Sequence, residues 1–460
     1  MTAGPGNRRL AILATVVFAV VLGGRPFVDP GPVEAAPTVS FGAASATSTF
    51  EVGIDLTEPA TLPAGVRRVE ALVRTGTSSL RFVVDIPVPG SGATTLSYRF
   101  ATPAGDLIPN TVVELQFRVT LADGSQEVGP SASVRYSDTR FSWSTLSGRV
   151  VRVHWVLGDD TFGRRALAIG EKAVDDVSRL LGVVETEPID FFIYPDAQSF
   201  YDVLGPGTRE NVGGVAFPDI RTLLANIGPN AVNDPWVGIV IPHELTHLVF
   251  GTAVDNPFHQ PPHWFNEGLA VYLSQGYDDS DRSAVAAAGG NGSLMPLTAI
   301  DGQFPTTADR FSLAYAESTS AIDFLVRTYG QAAMVTLIRS YAGGVTDDEA
   351  FKAGLGVDVA GFQAAWLADL GVPEPTAFGP RPAPAGPVPA DWGGAAPTPG
   401  SVGTGSAAPA PGSPAGSDLD ALILESIVVA LVTIGAIGLF AVLARRRRVR
   451  EGRPPGSDAP

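Results

Sequence analysis

A chain of 460 residues with 45% hydrophobic content is long enough for two folded domains with tails to spare. A net charge of −16 and an isoelectric point near 4.7, with no basic stripe outside the C-terminus, exclude nucleic acid as a partner and suit an exported protein kept soluble by self-repulsion. Cysteine is absent, which excludes disulfides and thiolate metal sites, so any metal must be held by histidine and carboxylate.

Taken in order, Arg8 and Arg9 precede an apolar run at 10–24, and small residues follow at 33–37. This pattern predicts a secretory signal peptide over 1–36, cut near Ala35 or Ala36, with an uncleaved N-terminal anchor as the alternative. Residues 37–140 contain TSTFEVGIDL, VRRVEALVRT, LRFVVDIPV, TTLSYRFAT and VVELQFRVTL, alternating or β-branched and separated by Pro, Gly and Asp-Gly turns. Short strands at this spacing predict an antiparallel β-sandwich of the immunoglobulin or fibronectin type III kind. The segment is too poor in His, Asp and Glu clusters for chemistry and reads as a spacer or docking module.

A different pattern starts at 141. GRVVRVHWVLG reads as a strand, and the next segment has helical spacing through Leu167, Val174, Val177 and Leu181 up to Gly182. IDFFIYP reads as a short apolar strand, and His154 as an ordinary strand residue.

The stretch 241–272, IPHELTHLVFGTAVDNPFHQPPHWFNEGLAVY, carries the chemistry. Residues four apart lie on one helix face, so His243 and His247 can offer their imidazoles to one metal while Glu244 reaches a water beside it. A catalytic zinc takes three protein ligands and keeps an open position, where water becomes acidic enough for Glu244 to take its proton. Glu267 is the candidate third ligand, because HWFNEGLAVYLSQ has helical spacing through Phe265, Leu269 and Tyr272 or Leu273. By spacing alone a set of His243, His247 and His263 also stands. Pro242 implies either a helix that begins there or a kinked first turn in VGIVIP. The loop 251–262 is rich in Pro, Asn and Asp and carries His259, read as solvated; His263 follows, four residues before Glu267, where it can orient substrate or donate a proton.

HELTHLVFG followed by HWFNEGLAVY resembles the gluzincin peptidases, and among them the aminopeptidase-N type and the shorter peptidase MA-like proteins of bacteria. The resemblance runs over roughly 141–372 and is concentrated in 242–273. It implies a zinc metallopeptidase with His243, His247 and Glu267 as ligands, Glu244 as general base and one Zn2+ per chain. The metzincin arrangement needs a His six residues past the second, and position 253 is Ala253. In the same family a cleft-edge strand binds the substrate backbone, and GGVAFPDIRTLLAN occupies the corresponding place. The aminopeptidase-N type carries there an acidic residue that grips a free amine. Residues 213–217 have none, which favours an endopeptidase. Tyr315, at the start of a helix-forming stretch, is the residue the family comparison offers as an oxyanion donor.

Residues 278–305 read as a polar, Gly-rich loop at the cleft mouth; from Arg310 the chain turns helical, with Leu313, Ala321, Phe324 and Leu325 on one stripe. Thr346 with Glu349 makes a capping box, and VAGFQAAWLADLGV closes the domain. The linker 373–420 is Pro, Ala, Gly and Ser and acts as a stalk. Residues 421–444 are expected to cross the membrane as one helix, and the Arg block at 445–448 marks the 445–460 tail as cytoplasmic.

The expected fold class is therefore α+β: a β-sandwich, then a mostly helical catalytic domain over 141–372 with a small sheet, then stalk and anchor. The expected function is a single-pass cell-membrane zinc metallopeptidase with its catalytic domain extracellular, acting on a peptide or protein substrate. Two other readings share the motif: a surface adhesion or envelope protein with a retained metal site, and a zinc hydrolase acting on a non-peptide bond.

Overall fold

The computed structural model describes residues 38–205 and 213–375. The expected signal peptide, the stalk from 376 onward, the membrane helix and the cytoplasmic tail lie outside the described residues.

The N-terminal part is built from nine strands: β1 Ser40–Phe41, β2 Ser45–Thr49, β3 Gly53–Leu62, β4 Arg68–Thr75, β5 Phe82–Ile86, β6 Gly92–Ala101, β7 Val112–Thr120, β8 Gln126–Val128 and β9 Ala132–Arg135. In one sheet β3 pairs antiparallel with β1, β2 and, along its whole length, β6. In the other, β4 pairs with β5 and β7, and β7 also takes β8 at one end and β9 at the other. Ile54, Leu56 and Leu96 of the first sheet share one buried cluster with Val69, Val73, Leu115 and Phe117 of the second, so the two sheets form a sandwich. TSTFEVGIDL, read from its composition as one strand, is two. The chain turns at 50–52, where Glu51 takes φ +58° and donates its N–H to the Tyr136 hydroxyl.

The second part opens on a five-stranded sheet of β10 Ser144–Ser147, β11 Val151–Trp155, β12 Ile189–Tyr194, β13 Gly214–Phe217 and β14 Thr222–Asn226, in the order β10-β11-β12-β14-β13. The three central strands run parallel, and the outer two antiparallel to their neighbours. Its two faces meet different cores. Val151, Val153, Phe191, Ile193 and Leu223 join the helical core, whereas Tyr194, Val215, Phe217 and Leu224 join the sandwich core. A sheet covered on both faces needs apolar residues without alternation, which is why IDFFIY is apolar at every position except Asp190.

Nine helices follow or interleave among the described residues: α1 Asp160–Leu181, α2 Ala197–Leu204, α3 Val237–Val254, α4 His263–Ser274, α5 Asp279–Asn291, α6 Ala308–Tyr329, α7 Gln331–Ser340, α8 Asp347–Leu355 and α9 Val359–Leu370. α1 starts where Asp159 accepts from the Phe162 N–H and stops at Gly182, whose φ of +65° is cheap only for glycine. α8 carries the expected capping box of Thr346 and Glu349. α3 starts five residues before Pro242, so the proline sits inside the helix. Apolar nearly all round, α3 is long and apolar enough to cross a membrane, yet 72% of it is buried, as befits a core helix. α5 corrects the reading of 278–305 as loop. Asp278 caps it by accepting from the Asp281 N–H, and the alanines at 284–288 supply helix propensity despite the surrounding polarity.

Glu58 lies in the inward row of β3, fully buried, with neither carboxylate oxygen hydrogen-bonded among the described residues. Burial raises its pKa from 4.5 to about 7. A raised carboxyl pKa means that the native state keeps a proton the unfolded chain has lost. Stability therefore falls as pH rises from about 4.5 to about 7 and is flat above. Glu58→Gln is expected to raise the melting temperature at pH 8 by the equivalent of about 1–3 kcal/mol and to change little at pH 4. Calorimetric melts at both pH values check this.

Candidate metal centre

α3 and α4 carry the site. On α3, His243 and His247 are one turn apart and buried; on α4, Glu267 is buried and turned towards them. Their ligand atoms form a tight triangle: His243 Nε2 to His247 Nε2 is 3.2 Å, His243 Nε2 to Glu267 Oε2 3.6 Å, and His247 Nε2 to Glu267 Oε1 3.8 Å. Zinc bonds of about 2.0–2.2 Å in a tetrahedron put neighbouring donors roughly 3.3–3.6 Å apart, so the triangle is the size of one tetrahedral face. Among the described residues these three are the only His, Asp or Glu group so arranged.

The protonation states suit ligation. Burial lowers the His243 pKa well below 6.5, with His247 adding to the effect, and lowers that of His247 to about 4. Both rings are therefore neutral near pH 7, and their contacts with Glu267 are juxtaposed donors rather than ion pairs. Asn266 Oδ1 lies 2.9 Å from His247 Nδ1. That oxygen accepts from an Nδ1–H, which leaves the Nε2 lone pair facing the other two donors. His243 Nδ1 has no such partner among the described residues.

Glu244 is buried between α3 and the edge strand β13, where a Cβ on Gly214 would come within 3.1 Å of its Cγ. Desolvation pushes its carboxyl well above 4.5, and the nearby Ala216 N–H offsets part of the rise. No described donor reaches either oxygen with full hydrogen-bond geometry.

The position of α4 is set by its backbone as much as by its side chains. The His263 N–H donates to the Asp301 carbonyl at 2.7 Å, which fixes the first turn. Trp264 and Phe265 pack against Phe351 and Phe362, and Phe265 also meets Phe250 of α3. On the α6 side, a Cβ at Gly268 would meet the Ser318 carbonyl oxygen at 2.5 Å, so only glycine lets the two helices approach this closely.

His263 reaches the rim: its Nδ1 is 3.9 Å from Glu267 Oε1, its ring is nine-tenths buried, and burial lowers its pKa to about 4. Its Nε2 has no partner among the described residues. Tyr315, buried on α6, stands edge-on to Phe304 at 4.9 Å, and Phe304 in turn packs on His263 at 4.6 Å. His259 is not simply solvated. Its Nε2 is 2.9 Å from Asp347, and its loop is tied by Asn256 to the Val254, His259 and Tyr341 carbonyls. The rival set with His263 as third ligand is not the triangle that forms. Sequence reasoning missed Asn266 as the partner of His247 and Gly268 as the α6 contact; their adjacency to Glu267 was the available signal.

The family model for the Peptidase MA superfamily matches residues 170–371. Aminopeptidase M1-B of Oryza sativa subsp. japonica is 30% identical over 132 residues, covering 28% of this chain and 14% of that protein. Aminopeptidase M1 of Arabidopsis thaliana is 31% identical over 137 residues, covering 30% and 15% respectively. The chain thus spans about one seventh of the length of these curated relatives. An aminopeptidase N family protein from Idiomarina loihiensis superposes with a TM-score of 0.40 at 10% identity, over 72% of this chain and 78% of that one. An M1 zinc metallopeptidase from Deinococcus radiodurans does so with a TM-score of 0.34 at 15% identity, over 74% and 93%.

Asn266→Ala is expected to weaken zinc binding about 10- to 100-fold, the usual cost of removing the group that orients a ligating imidazole. Competition with a chromophoric chelator measures it; unchanged affinity would remove Asn266 from the site.

Proposed function

We propose that the protein is a zinc-dependent metallopeptidase in which Glu244 is the general base, a reading that starts from the match of residues 170–371 to the Peptidase MA superfamily model. The observation that carries the reading is the triangle of His243, His247 and Glu267 donors, with sides of 3.2, 3.6 and 3.8 Å, buried beside the Glu244 carboxyl group.

Zinc held there supplies a Lewis acid that polarises a carbonyl and lowers the pKa of water towards about 7. The chain supplies the rest. His243 and His247 stay neutral because they are buried, and Asn266 holds the second imidazole in its ligating tautomer. Among the described residues only the Ala216 N–H approaches the Glu244 carboxyl, so Glu244 can take a proton and return it to the leaving amine. Among the described residues β13 ends the five-stranded sheet and pairs only with β14, so its outer edge is where an extended peptide adds as a further strand. Tyr315 on α6 and His263 at the start of α4 are the two candidates to meet the oxyanion, both in contact with Phe304.

Residues 213–217 form the strand beside Glu244 and contain no carboxylate to clamp a free α-amine. We therefore favour cleavage of internal bonds. The names of the plant relatives favour the other reading, removal of N-terminal residues. Peptides with free and acetylated N-termini separate the two: an endopeptidase cuts both, an aminopeptidase only the free one. We also place the catalytic part outside the cell, tethered by 421–444, a reading supported by the uncharged run at 427–444 and the four arginines that follow.

Glu244→Gln is expected to retain zinc at one per chain and to lose at least about 100-fold in peptide hydrolysis, as removal of a general base does. Zinc by atomic absorption and turnover of a casein substrate are measured on the same sample; full activity of the variant contradicts the mechanism.

A further inference from the structure

A second cleft lies on the opposite face of the five-stranded sheet from the metal-bearing helices. About 280 Å3 in volume, it is lined from the sandwich side by Asn110, Arg135 and Ser137, and from the sheet side by Arg152, His154 and Phe192, with Trp143 between them. Its floor is Asp190, almost fully buried. Arg152 donates to both carboxylate oxygens at 2.8 and 2.7 Å, Asn110 Nδ2 donates at 3.0 Å, and His154 Nε2 lies at 2.9 Å. These partners outweigh the desolvation and hold the Asp190 pKa down at about 2, so the floor is ionised and already fully engaged. Since an ionised carboxylate only accepts, His154 Nε2 carries a proton, and Nδ1 faces Thr145 Oγ1 at 2.9 Å.

What remains is positive and aromatic. Asp190 is matched by Arg152 and Asp138 by Arg140, but Arg135 has no carboxylate within ion-pair distance among the described residues. Arg135 uses only Nη1, on the Asn110 carbonyl and side-chain oxygens, and Arg152 leaves Nη1 unspent. Two guanidinium groups with spare donors are the standard means of binding a carboxylate or phosphate. Beside them the Phe192 ring stacks on His154 at 4.3 Å, and Trp143 stands edge-on to it at 5.2 Å. Asn110 is held in the left-handed region at φ +81° by contacts on both domains, a backbone cost of the kind found at ligand clamps.

We propose that this cleft is a second ligand site, taking a small molecule that carries one carboxylate or phosphate group next to a flat ring. The anion sits on Arg135 and Arg152, and the ring on Trp143 and Phe192. The volume is just below the roughly 300–1,000 Å3 of pockets for drug-sized ligands, which suits a single amino-acid derivative or a phosphorylated ring. Because sandwich and sheet both line the cleft, the ligand bridges the two parts of the chain and stabilises their junction.

The test uses the full chain and three probes: N-acetylphenylalanine, its amide, which lacks the anion, and phenyl phosphate. Tryptophan fluorescence gives the affinity and thermal shift the stabilisation. At least one anionic probe is expected to bind about tenfold or more tightly than the amide and to raise the melting temperature. Whichever anionic probe binds more tightly identifies the ligand as a carboxylate or a phosphate. Arg135→Gln is expected to cut that affinity about tenfold. So is Ser137→Glu, which adds a negative charge at an exposed lining position without touching the Asp190 network. Equal binding of acid and amide, unchanged affinity in Ser137→Glu, or no binding of any probe at millimolar concentration overturns the proposal.

Discussion

The placement of α4 against both α3 and α6 is the constraint on which the site rests. Two of the three metal donors are one helical turn apart and meet wherever α3 is helical. The third arrives only if α4 lies close enough for Glu267 to come within 3.6–3.8 Å of both imidazoles. Gly268 sets that distance on one side, since any Cβ would strike the Ser318 carbonyl. The aromatic contacts from Trp264 and Phe265 fix it on the other. Glu267, its neighbour Asn266 and the contact residue Gly268 are consecutive, so one short segment carries a ligand, the group that orients another ligand and the packing that holds both.

Burial does the electrostatic tuning. The same desolvation that keeps His243 and His247 neutral raises Glu244, so the site offers two uncharged donors beside a carboxyl with heightened proton affinity. The five-stranded sheet makes this possible by being covered on both faces. Its helical side completes the core behind α3, and its other side closes against the sandwich. The N-terminal part is thus one wall of a three-layer packing rather than a detachable spacer, and the second cleft opens where that packing is incomplete.

Much of this was legible in the residues, for reasons that differ from place to place. His243 and His247 needed only helical periodicity, and Glu267 a second helical stretch. The sandwich strands showed their alternation, although the turn at 50–52 was hidden because Phe50 and Val52 continue the apolar pattern across it. α5 was hidden in the opposite way: glycines and aspartates masked an alanine-rich helix with ordinary caps. The double-sided burial of IDFFIY and the contact of Tyr315 with Phe304 depend on which elements pack together, and no local pattern encodes that.

The central claim is that three side chains hold the metal and a fourth position stays open. X-ray absorption on the zinc-loaded protein tests it most directly. The account predicts two imidazole nitrogens and light oxygen donors at about 2.0–2.2 Å, with one oxygen exchangeable for an added anion. A shell closed by a third imidazole from His263, with no exchangeable position, would contradict it.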